Sequence, residues 1–389
     1  MKRIHFTQAL IITGMLLAAR AMAKPLDLQM GSRGFGMGGA FAAISDDATA
    51  TFWNPAGLSQ LNSLTLSETN WILQDVPGVN VNYFTGAIPI SQVGTVSGGW
   101  LMQYANLEQG EPGTALHHES NWYEHAFSLA AGRELWKKLW IFENTSLGFS
   151  LDRYVLNSGE MNGAGTGFDM GFLTRFPHGV RLGIVAKSLG ADMMGDKIDP
   201  EFRAGLGYIW QGREHHKVTL DVDFASKENV EYQDGVNGVA TNYKGFVGAE
   251  YVFMKEGWSG AVRAGANSGF LNSRDEMSYS GGLGVNFRGV SVQYAYQYNA
   301  NQDLSLGQSH RFTLEVSLGD LMNKEEGRVI SSQESSSLKA GDLSLNDPAT
   351  DFASATKSDS NNDSHNDSTS DSNNDEKSKL EAIKAKYRK

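Results

Sequence analysis

From about residue 63 to residue 320 the chain alternates apolar and polar residues in one stretch after another. A period of two marks a sheet with one apolar and one polar face. Val218, Leu220, Val222 and Phe224 alternate with Lys217, Thr219, Asp221 and Asp223. Val290, Val292, Tyr294, Tyr296 and Tyr298 alternate with Ser291, Gln293, Ala295, Gln297 and Asn299. The same pattern runs through 202–211, 279–287 and 311–318. It predicts strands over 63–72, 81–90, 94–104, 124–134, 145–156, 165–176, 180–189, 200–211, 216–225, 243–254, 258–267, 279–287, 290–299 and 309–319, about 14 in all. Most are of the length a tilted strand needs to cross a bilayer, and an even number suits an antiparallel barrel.

Alternation does not say which face is inside. A soluble β-sandwich or lipocalin-like barrel in the periplasm would hide the apolar row, and a membrane barrel would expose it. The gaps favour the membrane barrel. The even-numbered gaps are mostly short: 91–93, 177–179, 212–215, 255–257 and 288–289, with 135–144 as the exception. The odd-numbered gaps are longer: 73–80, 105–123, 157–164, 190–199, 226–242, 268–278 and 300–308. Short periplasmic turns and long external loops sort this way in outer-membrane barrels. Aromatic residues near strand ends (Tyr208, Trp210, Tyr251, Phe253, Tyr296, Tyr298) suit interfacial girdles. The fold class expected is all-β: a transmembrane antiparallel β-barrel.

The start of the chain agrees with export. Lys2 and Arg3 precede an apolar run over 9–18, and Ala21-Met22-Ala23 supplies a small-x-small cleavage pattern. Residues 1–23 are therefore expected to be a signal peptide cut after Ala23. The apolar run is too short for a membrane helix, and no longer one follows. The sequence has 0 Cys, which excludes a lipoprotein anchor, disulfides and thiol catalysis. A net charge of −11 argues against a nucleic-acid partner.

Residues 24–62 are Gly-rich. Gly34-Phe35-Gly36-Met37-Gly38-Gly39-Ala40-Phe41 is followed by Asp46-Asp47-Ala48 and then by Trp53-Asn54-Pro55-Ala56-Gly57-Leu58. This combination resembles the opening of the FadL-like outer-membrane proteins. These include the long-chain fatty-acid transporters and the PorV/PorQ-type barrels, and the likeness is greatest to the PorV-like branch. The resemblance covers roughly residues 24–320 and implies that 24–62 is a plug, or hatch, inside the barrel. Gly34, Gly36, Gly38, Gly39, Asp46, Asp47, Trp53, Asn54, Pro55 and Ala56 would belong to it. A barrel of this size leaves an open lumen unless something fills it. Pro55 also turns the chain by disfavouring helical geometry at Asn54. Asp46 and Asp47 are expected to cap a turn or to pair with a luminal Arg such as Arg203 or Arg311.

Other motifs carry less. Gly34-x-Gly36-x-x-Gly39 fits the dinucleotide fingerprint but lacks a preceding strand and a βαβ unit. His117-His118-Glu119 and His215-His216 are neighbours in sequence, and neighbours on a strand point to opposite faces, so they read as loop histidines rather than metal ligands. Asp221 and Asp223 share a face with Lys217 and read as a solvated polar lumen. Barrel lipases need a fixed Ser–His pair, and no local signature marks one. No catalytic residue, cofactor or metal is expected.

Residues 321–389 form a polar tail. Over 358–375 every residue is Ser, Asp, Asn, His or Thr, a composition that cannot build a core. Leu380, Ile383 and Tyr387 fall at helical spacing in a basic end that suits a periplasmic partner. The function expected is outer-membrane passage of hydrophobic molecules such as long-chain fatty acids. Its partners would be outer-membrane lipid and a hydrophobic small-molecule ligand bound behind the external loops, near Trp71-Ile72-Leu73 and Met193-Met194. The alternative is a PorV-like, non-transporting scaffold or shuttle in protein secretion.

Overall fold

The computed structural model describes residues 29–73, 78–109, 118–158, 161–193, 196–212, 215–233, 236–268, 277–300 and 308–322. The expected signal peptide with Ala21 and Ala23, and the tail beyond residue 322, lie outside the described residues.

The alternating stretches form β1 (Thr65–Leu73), β2 (Val79–Ile90), β3 (Gly94–Gln109), β4 (His118–Leu139), β5 (Phe142–Ser158), β6 (Met161–Arg175) and β7 (Val180–Leu189). A small hairpin follows, β8 (Asp192–Met193) and β9 (Asp196–Lys197). The series resumes with β10 (Glu201–Gln211), β11 (His216–Gln233), β12 (Val236–Lys255), β13 (Trp258–Ser268), β14 (Met277–Phe287), β15 (Val290–Asn299) and β16 (Ser309–Ser317). Apart from β8 and β9, each strand pairs antiparallel with its sequence neighbours, and β1 pairs with β16 from Thr65↔Ser317 to Leu73↔Ser309. The result is a closed barrel of 14 strands. Closure leaves no sheet edge with unpaired backbone groups, which is what permits strands to stand in lipid.

Burial shows which face is inside. On β11 Asp221 and Asp223 are each 1% exposed, whereas Leu220 is 46% and Val222 57% exposed. The parity holds around the wall: Arg203, Glu250, Arg263 and Arg311 point inward, and Phe202, Leu206, Val247, Val262, Leu283 and Phe312 point outward. A soluble sandwich hides its apolar row. This barrel does the reverse, as one does whose surroundings are hydrocarbon. No helix among the described residues is long and apolar enough to cross a membrane.

Several boundaries differ from the sequence expectation. The long gap at 135–144 is absent: β4 continues to Leu139 and β5 begins at Phe142, with a two-residue turn at Trp140 and Ile141. A register shift between Glu134 and Trp136 marks a bulge there. Beyond it, Leu135, Trp136, Lys137, Lys138 and Leu139 are all exposed, so both faces are wet or lipid-exposed and no alternation signals the strand. Strands β3, β4, β11 and β12 also extend beyond their expected ends, to Gln109, from His118, to Gln233 and from Val236. At the other limit β16 stops at Ser317, and α3 (Leu318–Met322) follows in place of the last strand residues.

Candidate functional site

Residues 29–62 lie within the barrel, and almost all of them are buried. Two short helices, α1 (Ser32–Gly36) and α2 (Ala50–Trp53), and a 3-10 turn over Pro55–Gln60 are joined by tight bends. Such short helices have little stability of their own, so the plug depends on its contacts with the wall.

Small residues bring backbone to backbone. Gly38 has φ 70°, a left-handed conformation that glycine adopts without strain, and it lies directly on Gly265 and Ala266 of β13. A Cβ on Gly36 would stand 3.3 Å from the Gly282 Cα of β14, and one on Gly34 would stand 2.8 Å from the Trp53 indole. Gly39 turns the chain beside Gln29. On the opposite wall Pro55 and Ala56 press on Gly148 of β5, and Asn54 presses on Gly171 of β6.

Polar contacts fix the register of this fit. Asn54 is extended (φ −157°), as the residue before a proline prefers, and its Oδ1 accepts from the Ala56 N–H at 3.1 Å. Its Nδ2 donates to the Ala42 carbonyl at 2.8 Å and to the Phe172 carbonyl of β6 at 3.2 Å. The Trp53 indole N–H donates to the Met30 carbonyl at 2.7 Å. Asp223 Oδ2 accepts the N–H groups of Phe41 and Ala42, each at 3.0 Å. Arg203 donates to the Gly39 carbonyl at 3.1 Å, and Asn267 to the Gly38 carbonyl at 3.0 Å. Asp223, read from the sequence as part of a solvated lumen, is instead a backbone clamp.

The centre of the plug is ionic. Arg33 donates through Nε and Nη2 to the two oxygens of Glu250, at 2.9 and 3.0 Å, and through Nη1 to Asp46 and Asp47. Glu250 also accepts from Arg263 Nε at 2.6 Å. Asp46 and Asp47 therefore answer a plug arginine. Arg203 pairs with Glu201 and Asp223, and Arg311 stacks on aromatic rings, so neither meets the aspartate pair as the sequence reading supposed. Asp47 does cap a turn, accepting from the Thr49 N–H at 2.9 Å. Burial alone would lower the Arg33 guanidinium, but Asp46 and Glu250 beside it hold it well above its usual value. Burial raises Asp46, yet Arg33, Lys217 and Arg181 together outweigh it and hold that carboxyl below the ordinary range. For Asp47 burial wins and the pKa is raised.

Toward the long-loop end the lumen changes character. Trp71, Leu73, Val79, Val81, Leu101 and Tyr154 belong to one buried apolar cluster, which Met30 and Phe52 of the plug join. Ile72, expected with them, faces outward. The Met193 side chain and all of Met194 lie outside the described residues. Polar atoms here have no partner among the described residues: the indole N–H groups of Trp71 and Trp122, the hydroxyls of Tyr83 and Tyr154, and both carboxyl oxygens of Glu124. Buried polar groups left unanswered by the protein call for a partner of another kind, such as water, an ion or a ligand. A separate shallow depression beside Glu68, Gly86 and Gly98 opens on the outer face of β1–β3, away from this cluster. The sequence reading named Arg311 as a luminal partner for the aspartate pair but did not single out Glu250 or Arg263. The available signal was a charged residue at inward parity in an otherwise apolar strand.

Among the described residues no cluster of side chains suits a metal ion. The His215–His216 pair sits at a short turn, where His216 meets the Tyr251 hydroxyl at 2.8 Å. His118 opens β4 and His117 lies outside the described residues.

The plug and apolar cluster define a transmembrane-type β-barrel whose lumen is blocked at one level and apolar at another. No protein-family model and no curated protein matches the sequence. Among solved structures the chain is similar to the toluene transporter TodX of Pseudomonas putida, with 13% identity, 74% of this chain and 96% of that chain covered, and a TM-score of 0.47. It is similar to the toluene transporter TbuX of Ralstonia pickettii, with 11% identity, coverage of 74% and 98%, and a TM-score of 0.45. A FadL homologue of Pseudomonas aeruginosa shows 12% identity, coverage of 74% and 97%, and a TM-score of 0.42.

Proposed function

We propose that this chain is a bacterial outer-membrane channel for hydrophobic compounds, with long-chain fatty acids as its substrates. The observation that carries the reading is the buried apolar cluster inside the barrel, on the long-loop side of a plug whose own polar groups are largely answered. Apolar surface inside a lumen otherwise lined by Asp, Glu, Lys and Arg has no role in holding water or ions. It does suit a ligand that leaves water at the external loops. The substrate binds there first, and a shift of the plug then opens the path past it. The named transporters of toluene among the similar structures are in keeping with a hydrophobic cargo.

The test is uptake of radiolabelled long-chain fatty acid by a deletion strain and by the same strain carrying the gene. Loss of uptake, restored by the gene, supports the reading. Unchanged uptake contradicts it. Co-purification with secreted cargo in place of ligand would move the assignment to a secretion scaffold with the tail as its docking segment.

A further inference from the structure

The outward rows of the wall are not uniform. On β11 and β14 the middle of the row reads Leu220, Val222 and Phe224, and Leu283, Val285 and Phe287. On β1 and β2 it carries Glu68, Asn70, Asn80 and Asn82. Glu68 is exposed and stands within the apolar band. Leu66 and Ile72 lie on either side of it along its own strand, and it pairs in register with Leu314 of β16 and Phe84 of β2. Its carboxylate has no hydrogen bond or ion pair among the described residues. A charged side chain facing hydrocarbon is costly and rare. Beside Glu68 the surface is hollow, with a volume of about 510 Å³. The cause is a pair of outward glycines, Gly86 and Gly98, which face each other in register on β2 and β3. A Cβ on Gly98 would meet nothing within 4 Å. Next to the hollow, Asn70 Nδ2 donates to Asn82 Oδ1 at 2.9 Å. That bond orders the Asn82 amide and leaves its own N–H groups unused among the described residues.

We infer that this outer face of β1, β2 and β3 is an interface, and that its occupant is a second copy of this chain. The inference rests on the barrel standing in lipid and not on what its lumen carries. A lipid tail fills a hollow but has no donor for Glu68, so lipid alone leaves the carboxylate unanswered. The face itself carries both halves of what it needs: an acceptor in Glu68 and amide donors in Asn82. A two-fold axis along the membrane normal sets a patch against itself, so each residue of one copy meets its counterpart's neighbour twice over. Each Glu68 then accepts from the Asn82 amide of the other copy. Proteins in lipid gain nothing from hiding apolar surface from one another. As between membrane helices, association comes from close packing at small residues and from hydrogen bonds across the contact. Gly86 and Gly98 provide the first, and Glu68 with Asn82 the second. The wall of β11 and β14 has neither and suits plain lipid.

The chain has 0 Cys, so one introduced thiol reports one place. Leu66→Cys puts it on the proposed face and Leu283→Cys on the far wall, at positions 49% and 57% exposed. Membranes of cells expressing each full-length chain are treated with a short bis-maleimide. Leu66→Cys is expected to give a cross-linked band of two chains, and Leu283→Cys none. Two further changes are then placed in the Leu66→Cys chain. Gly98→Phe fills the hollow from a position with open space around it, and Glu68→Leu removes the carboxylate while suiting lipid better in the single barrel. Each should lower the cross-linked fraction about tenfold, because every substitution acts at both halves of the contact. The shift in gel migration on heating reads whether each variant is a folded barrel. A Leu283→Cys band as strong as that of Leu66→Cys overturns the inference, since chance collision in the membrane then explains both. So does a Leu66→Cys band that survives both substitutions, a band that contains a different protein, or no band at all. Recovery of the chain outside the membrane fraction overturns the membrane setting and the interface together.

Discussion

The plug level and the apolar level of the same lumen solve opposite problems. At the plug level, buried charge is mostly answered: Arg33 by Glu250, Asp46 and Asp47, Arg263 by Glu250, and Asp223 by two backbone N–H groups. At the apolar level, Glu124, Trp122 and Tyr154 carry polar atoms with no partner among the described residues, as do Asp221, Arg263 and Arg311 beside the plug. A network that is satisfied fixes one arrangement, whereas unanswered groups cost free energy until something else meets them. On the function proposed above, the first level holds the plug and the second meets the ligand.

That contrast is breakable by mutation. The largest effect belongs to Glu250→Leu. It takes the carboxylate from Arg263 and leaves Arg33 with Asp46 and Asp47 alone, and removing one partner of a buried pair costs about 3–5 kcal/mol. The plug should detach, seen as a lower thermal transition and a higher ion conductance in planar bilayers. Unchanged conductance would mean that Glu250 does not hold the plug. Next is Asn54→Ala, which frees two backbone carbonyls and one N–H at a cost of about 1–3 kcal/mol. Limited proteolysis of the 29–62 segment should accelerate, and a wild-type rate would remove Asn54 from the set of clamps.

Acid should loosen the same level by a smaller amount. The folded pKa of Asp46 is depressed. Its contribution is therefore complete above the ordinary aspartate value of about 3.9 and is lost as pH falls through the folded value. Asp47 has the opposite sign: its pKa is raised, so protonation relieves it. Asp46→Asn should consequently flatten the loss of plug retention on acidification, and an acid response identical to wild type would contradict the assignment. The smallest effect belongs to the other level. Tyr154→Phe deletes a hydroxyl that bonds nothing in the protein, so the transition should shift by less than about 1 kcal/mol. A loss as large as that at Asn54 would show that the apolar level is also a fixed structural network.

The strands were largely readable because one face meets lipid and the other meets the lumen, which writes a period of two into the sequence. Where β4 passes the barrel rim, both faces are exposed and the code disappears, so the alternation predicts a longer loop than the turn at Trp140 and Ile141. The plug run was readable as a segment through Gly34–Gly39 and Asn54-Pro55-Ala56, but its partners were not. Arg33 and Glu250 are 217 residues apart, and nothing local links a residue in a Gly-rich turn to a strand that comes so much later. Glu250 and Arg263 did leave a trace. They face each other in register on β12 and β13, both at inward parity, an opposite-charge cross-strand pair that a strand-by-strand alignment of polar faces would have exposed. Arg311 was noted as luminal. Its lack of a carboxylate depends on what every neighbouring strand presents, and no single stretch of sequence carries that information.

The most direct test of the account is to purify the barrel from membranes in mild detergent, extract what it carries and identify it by mass spectrometry. The account predicts a hydrophobic compound in near-equal molar amount with the protein. A barrel that comes out empty and brings secreted or periplasmic proteins with it would contradict the claim that this lumen is built to pass a hydrophobic ligand.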